Sequence, residues 1–133
     1  MAEGVSAALR EFLHGETDTA AFHHADHVRM AFEILSHHPN FVTAASAFSS
    51  SLRRIAARAG NANAYHETIT LAFLSLIAER MACSNFGGFA DFAARNADLL
   101  DKSALTRWYS AERLSSPVAR ATFVLPAPPA ISN

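Results

Sequence analysis

The sequence predicts an all-α domain, an antiparallel helical bundle of four main helices with a smaller C-terminal helical cap. Three observations lead there. Apolar residues recur three and four apart through most of the chain, the spacing of one helical face. No period-2 run reads as a strand, and no internal repeat is present. Breakers and caps such as Pro39, Gly60 and the Gly87–Gly88 pair cut the pattern into helix-sized pieces joined by short connections.

The first element is a short amphipathic helix over Val5–Leu13, with Val5, Ala8, Leu9 and Phe12 on one face. The segment "HGETDTA" interrupts it and offers Thr17, Asp18 or Thr19 as caps for the next helix. That second helix runs from Phe22 to Ser36 and stops before Pro39, which disfavours helical backbone in the residue preceding it. The third, Val42–Ala59, places Ala45, Phe48, Leu52, Ile55 and Ala56 on one stripe, with Gly60 where a left-handed cap belongs. Asn63 is the expected cap of a fourth helix over Ala64–Met81, and "SNFGG" separates it from a fifth over Phe89–Asn96. "DLLDKSALTRWYS" reads as one short helix and "SSPVARATFV" as another, with Ser116 as cap and Pro117 in the first turn. Residues 1–125 form one helical domain on this reading, and 126–133 a proline-rich, extended tail.

Composition sets the outer limits. Half of the 133 residues are apolar and 17% are charged, which suits a packed core rather than disorder. The formal net charge of −1 gives no electrostatic reason to expect nucleic acid or an anionic membrane as partner. Arg53, Arg54 and Arg58 read as solvated surface of the third helix. No window approaches the length of a membrane span, and "MAEGVSAALREFL" is neither signal peptide nor anchor. The single cysteine, Cys83, reads as a small buried hydrophobe and favours a cytoplasmic setting.

Of seven histidines, three share a direction. At 100° per residue, Val28, Ala31 and Leu35 fall within about 40° of His24, and His27 lies about 60° away, so both histidines extend the apolar stripe. Thr70, Phe73 and Ile77 fall on the face of His66. With one helix between them, the second and fourth helices run parallel, which brings His24, His27 and His66 to one end of the bundle. Neutral imidazoles converging near a carboxylate suit a divalent metal such as zinc or iron, or acid–base work. Glu67, about 100° from His66, is then a ligand, a supporting partner or a general base. Neither H-E-x-x-H nor paired Glu-x-x-His is present.

Other residues are weaker markers. His23 and Asp26 face outward, Asp26 as cap or surface acid, and His37 and His38 end a helix where a cation is favourable. Ser49, Ser50 and Ser51 read as exposed helix residues. Arg107, Arg113 and Arg120 stand near Trp108 and Tyr109. They suit either a lid over an anionic small molecule or a packed cap anchored by Trp108.

The segments "FHHADHVRMAFEIL", "YHETITLAFL" and "LLDKSALTRWYSAERLSSPVAR" resemble a widespread group of small bacterial proteins of unassigned function. The shared pattern is H-x-x-H, then Y-H-E-T, then Y-S-x-x-x-L-x-S-x-x-A-R, over roughly Ala21 to Arg120. The resemblance implies His24, His27, Tyr65, His66, Glu67, Tyr109, Ser110 and Arg120 as family-type positions, and it implies no activity.

Together these readings set two expectations. One is a metal-dependent enzyme for a small molecule, acting by hydrolysis or isomerisation, with His24, His27 and His66 on the metal, Glu67 catalytic, and Tyr65, Tyr109, Arg113 and Arg120 on the ligand. The other is a metal-free binding or interaction module whose histidines are pocket donors or structural groups, with a homodimer permitted.

Overall fold

A computed structural model of the chain describes residues 5–128. Every regular element among the described residues is helical: α1 Ala7–Leu13, α2 His24–His37, α3 Phe41–Arg58, α4 Glu67–Ala82, α5 Phe89–Arg95, α6 Ala111–Leu114 and α7 Pro117–Ala121. Short 3₁₀ turns stand at Thr19–Ala21, Ala62–Ala64, Ala97–Leu100 and Ala104–Arg107. Residues 129–133, the end of the expected proline-rich tail, lie outside the described residues.

The caps explain the boundaries. Ser6, Asn40, Ser110 and Ser116 each accept a backbone N–H with the side chain, as N-caps do. Asp18 caps the 3₁₀ turn rather than α2, and α2 begins two residues later than expected, at His24. There the Asp26 carboxylate accepts from the His23 N–H at 2.9 Å, the acidic half of a capping box. Helix α3 ends in a Schellman motif: Gly60 N–H donates to Ala57 O, and Asn61 N–H to Ala56 O. Gly60 supplies the required positive φ of 75°.

Helices α1, α2, α3 and α4 pack against one another, α2 touching all three of the others. Their shared core holds Leu9, Phe12, Val28, Ile34, Phe48, Ile55, Leu74 and Ile77, closed at one side by Phe92 of α5. Helix α4 is apolar on two sides. Leu74 and Ile77 face this core, whereas Ala72 and Phe73 join Leu105 and Tyr109 in a second, smaller one. α4 is therefore a central element, with α7 packed on it as well.

Several sequence expectations need correction. Cys83 is exposed, because it falls at the C-cap of α4 beyond the last core-facing turn. Ser51 is fully buried, its hydroxyl satisfied by Ala47 O. Trp108 is 44% exposed and anchors nothing; Leu105 and Tyr109 fill that role. "DLLDKSALTRWYS" folds as two 3₁₀ turns, since Asp101 folds back on Ser103 and ends the first. No helix among the described residues is long and apolar enough to cross a membrane.

Candidate functional site

A cavity of about 400 Å³ lies among α2, α3 and α4. α2 contributes His24, His27, Val28 and Ala31, and α3 contributes Phe48, Leu52, Ile55 and Ala56. α4 and its approach supply Tyr65, His66, Ile69, Thr70, Phe73 and Ile77, while Phe22 and Thr19 come from the turn before α2. All three inward histidines therefore line one space. The walls are mainly aliphatic and aromatic, as in small-molecule pockets of this size.

The three imidazoles differ in what holds them. His66 is the N-cap of α4, one turn later than the expected cap Asn63. Its Nδ1 accepts the Ile69 N–H at 3.1 Å, and its Nε2 lies 2.6 Å from Leu114 O. A carbonyl only accepts, so Nε2 carries the proton and the ring is a neutral tautomer with both nitrogens engaged. His24 meets Leu99 O through Nε2 at 3.0 Å and packs edge-on against Phe73. By the same argument its Nε2 donates.

His27 stands apart. The ring is half-buried and packs edge-on against Phe22, 4.6 Å between centroids, while the imidazole hydrogen bonds at this cavity are those of His24 and His66. Burial pushes its pKa down to about 4, with the nearby His24 adding to the effect and Asp26 opposing it. At neutral pH it offers the cavity one N–H donor and one lone pair.

The expected carboxylate is elsewhere. Glu67 does not line the cavity: its Oε1 accepts from Arg53 Nη2 at 3.0 Å and from the Tyr65 hydroxyl. Arg53 also lies over the Tyr65 ring, 4.5 Å from its centroid, and Ser49 bonds the same hydroxyl at 2.7 Å. Arg53 is exposed, as expected of solvated surface, and it also joins this network. Burial and donation to Glu67 hold the Tyr65 phenol above its usual value. Tyr65 thus shows the cavity its ring, with its hydroxyl already taken.

The C-terminal residues expected on the ligand do other work. Tyr109 donates to Val124 O at 2.8 Å, and Arg113 Nε donates to Leu125 O at 2.7 Å. Arg120 donates to Asn63 O at 2.6 Å and to Tyr65 O at 3.3 Å. Buried Thr68 gives its hydroxyl to Thr122 O and takes Val124 N–H. The His66–Leu114, Thr68 and Arg120 bonds clasp the chain after α5 to the start of α4 and its approach, while the Tyr109 and Arg113 bonds tie that chain to itself. The "YHET" and "YSAERLSSPVAR" segments meet each other here, and none of Tyr109, Arg113 or Arg120 lines the cavity.

Whether these donors fit a metal is a question of lone pairs. A zinc or iron site needs three or more converging on one point. His66 has none to give, His24 and His27 have at most one each, and the carboxylate of Glu67 is committed to Arg53 and Tyr65. Among the described residues no group of three or more His, Cys, Asp or Glu is placed to hold a metal ion. The expected His24–His27–His66 set shares a cavity and does not form a coordination sphere.

No family model matches the chain, and no curated protein or solved structure matches it significantly.

Sequence reasoning missed the Arg80 network. Arg80 at the end of α4 makes paired bonds to Asp98, at 3.1 and 2.8 Å, and a third to Asn96 at 2.9 Å. The Asp98 carboxyl is held below its usual range by that guanidinium. Arginine at a helix C-terminus was the available signal, and its partner followed only from the fold.

Proposed function

We propose that the protein is a metal-free binding protein for a small, largely apolar molecule held between α2, α3 and α4. The observation that carries this is the cavity, a mainly apolar chamber of about 400 Å³ whose polar points, three imidazoles with Thr19, Asn61, Tyr65 and Thr70, include no convergent metal-ligand set among the described residues. On this reading α1–α4 are the bundle around the chamber, and α6 and α7 with the clasp fasten its C-terminal cap. Binding, rather than catalysis by Glu67, is favoured because that carboxylate points into the Arg53–Tyr65 network. A cytoplasmic location belongs to the same proposal, supported by a single exposed cysteine that suits a reducing compartment.

The neutral dye 1-aminoanthracene tests the reading. Its fluorescence should rise and saturate at one equivalent with the wild type, and Ala31→Phe, which fills the chamber, should abolish the rise while circular dichroism stays helical. Equal binding to wild type and Ala31→Phe would refute the chamber as the site. Zinc or iron that raised the melting temperature of wild type, but not of His24→Ala/His27→Ala, would refute the metal-free half.

A further inference from the structure

Granting that chamber as the binding site, its lining also specifies the charge of what it takes. No Asp, Glu, Lys or Arg is among the described residues that line it. Charged groups next to lining residues already have partners: Glu67 faces Arg53, Asp26 is turned back onto the His23 amide, and Asp101 accepts from Ser103. A ligand ion entering the chamber would lose its hydration and find no countercharge, a large cost in apolar surroundings. A neutral molecule avoids it.

The polar groups narrow the class further. His66 spends both nitrogens on backbone, and Tyr65 spends its hydroxyl on Ser49 and Glu67. Among the three histidines, His24 has one ring nitrogen and His66 both in hydrogen bonds, whereas His27 has neither within the described residues. It stands edge-on to Phe22, with Phe48 and Phe73 on the other walls. Aromatic walls favour flat rings, which pack on them by stacked or edge-to-face contact. The volume equals about 13 water molecules in the bulk liquid, enough for a fused two-ring compound.

We propose that the chamber selects uncharged aromatic or alicyclic molecules carrying a hydroxyl or carbonyl group, which His27 holds. The neutral imidazole accepts from the hydroxyl or donates to the carbonyl, and the phenylalanine walls hold the ring.

Four probes of one shape separate the outcomes: naphthalene, 2-naphthol, 2-naphthoate and 2-naphthylmethylammonium, measured by ligand-observed NMR and calorimetry at neutral pH. The expected order is 2-naphthol first, naphthalene about tenfold weaker, and both ions weaker still. His27→Leu should erase the preference of naphthol over naphthalene, whereas His27→Gln, which keeps a donor and an acceptor, should retain part of it. Circular dichroism and the urea midpoint show that each variant is folded. Naphthoate or the ammonium binding as well as naphthol would overturn the inference, and so would naphthol and naphthalene binding equally to wild type. In those cases naphthalene still bound in an Ala31→Phe-sensitive way would leave the chamber reading standing. Binding of none of the four would overturn both.

Discussion

His27 ties the cavity to a measurable pH dependence of stability. Folded, its pKa is about 4; unfolded, it returns to about 6.5. Between these values the unfolded chain binds a proton that the folded chain does not, so protonation favours unfolding. The stabilising difference is fully present above pH 6.5 and is lost progressively as pH falls toward 4. Going from about pH 7.5 to about pH 5.5, the linkage costs about 1 kcal/mol. Other histidines titrate over the same range, so the comparison is with His27→Gln, which keeps them. Urea unfolding of both proteins at the two pH values gives the number: wild type should lose about 1 kcal/mol more than the variant. Equal losses would refute the claim that half-buried His27 is neutral against the cavity.

Further substitutions probe the clasp, core and turns. His66→Ala removes both the α4 cap and the bond to Leu114 and should cost about 2 kcal/mol in urea unfolding; His66→Asn keeps a cap and should cost about half that. Equal losses would argue against the double role. Phe92→Ala empties a fully buried position between Phe32 and Phe86 and should cost about 3–5 kcal/mol. A loss under about 1 kcal/mol would mean that α5 is not packed on the core. Gly15→Ala puts a Cβ 2.9 Å from Arg54 Cβ at φ 70°, whereas Gly60→Ala at φ 75° meets nothing within 4 Å. The first should therefore lower the melting temperature more than the second, and the reverse order would contradict the α1–α3 contact.

Much of the fold was legible because periodicity and caps act locally. Ser116 and Gly60 mark ends that the structure keeps, and the inward faces of His24, His27 and His66 follow from helical spacing alone. What was not legible depends on partners far away in sequence. His66 belongs to the cavity, yet its nitrogens are taken by Ile69 and by Leu114, 48 residues on. Facing is a property of one helix, whereas a free lone pair depends on every neighbour. Glu67 shows the same limit, because Arg53 and Tyr65 draw it away from the chamber. Arg113 and Arg120 read as anion binders by residue type, while in the fold they hold backbone carbonyls. Trp108 and Cys83 were misplaced because bulk or apolarity predicts burial only where the local turn faces inward.

The most direct test is where an uncharged ring sits in metal-free protein. With chelator-treated protein and 2-naphthol, intermolecular nuclear Overhauser effects should connect the naphthol protons to the methyl groups of Val28, Ile55 and Ile77, which line the chamber. Contacts confined to exposed methyls such as those of Val118 and Leu125 would contradict it.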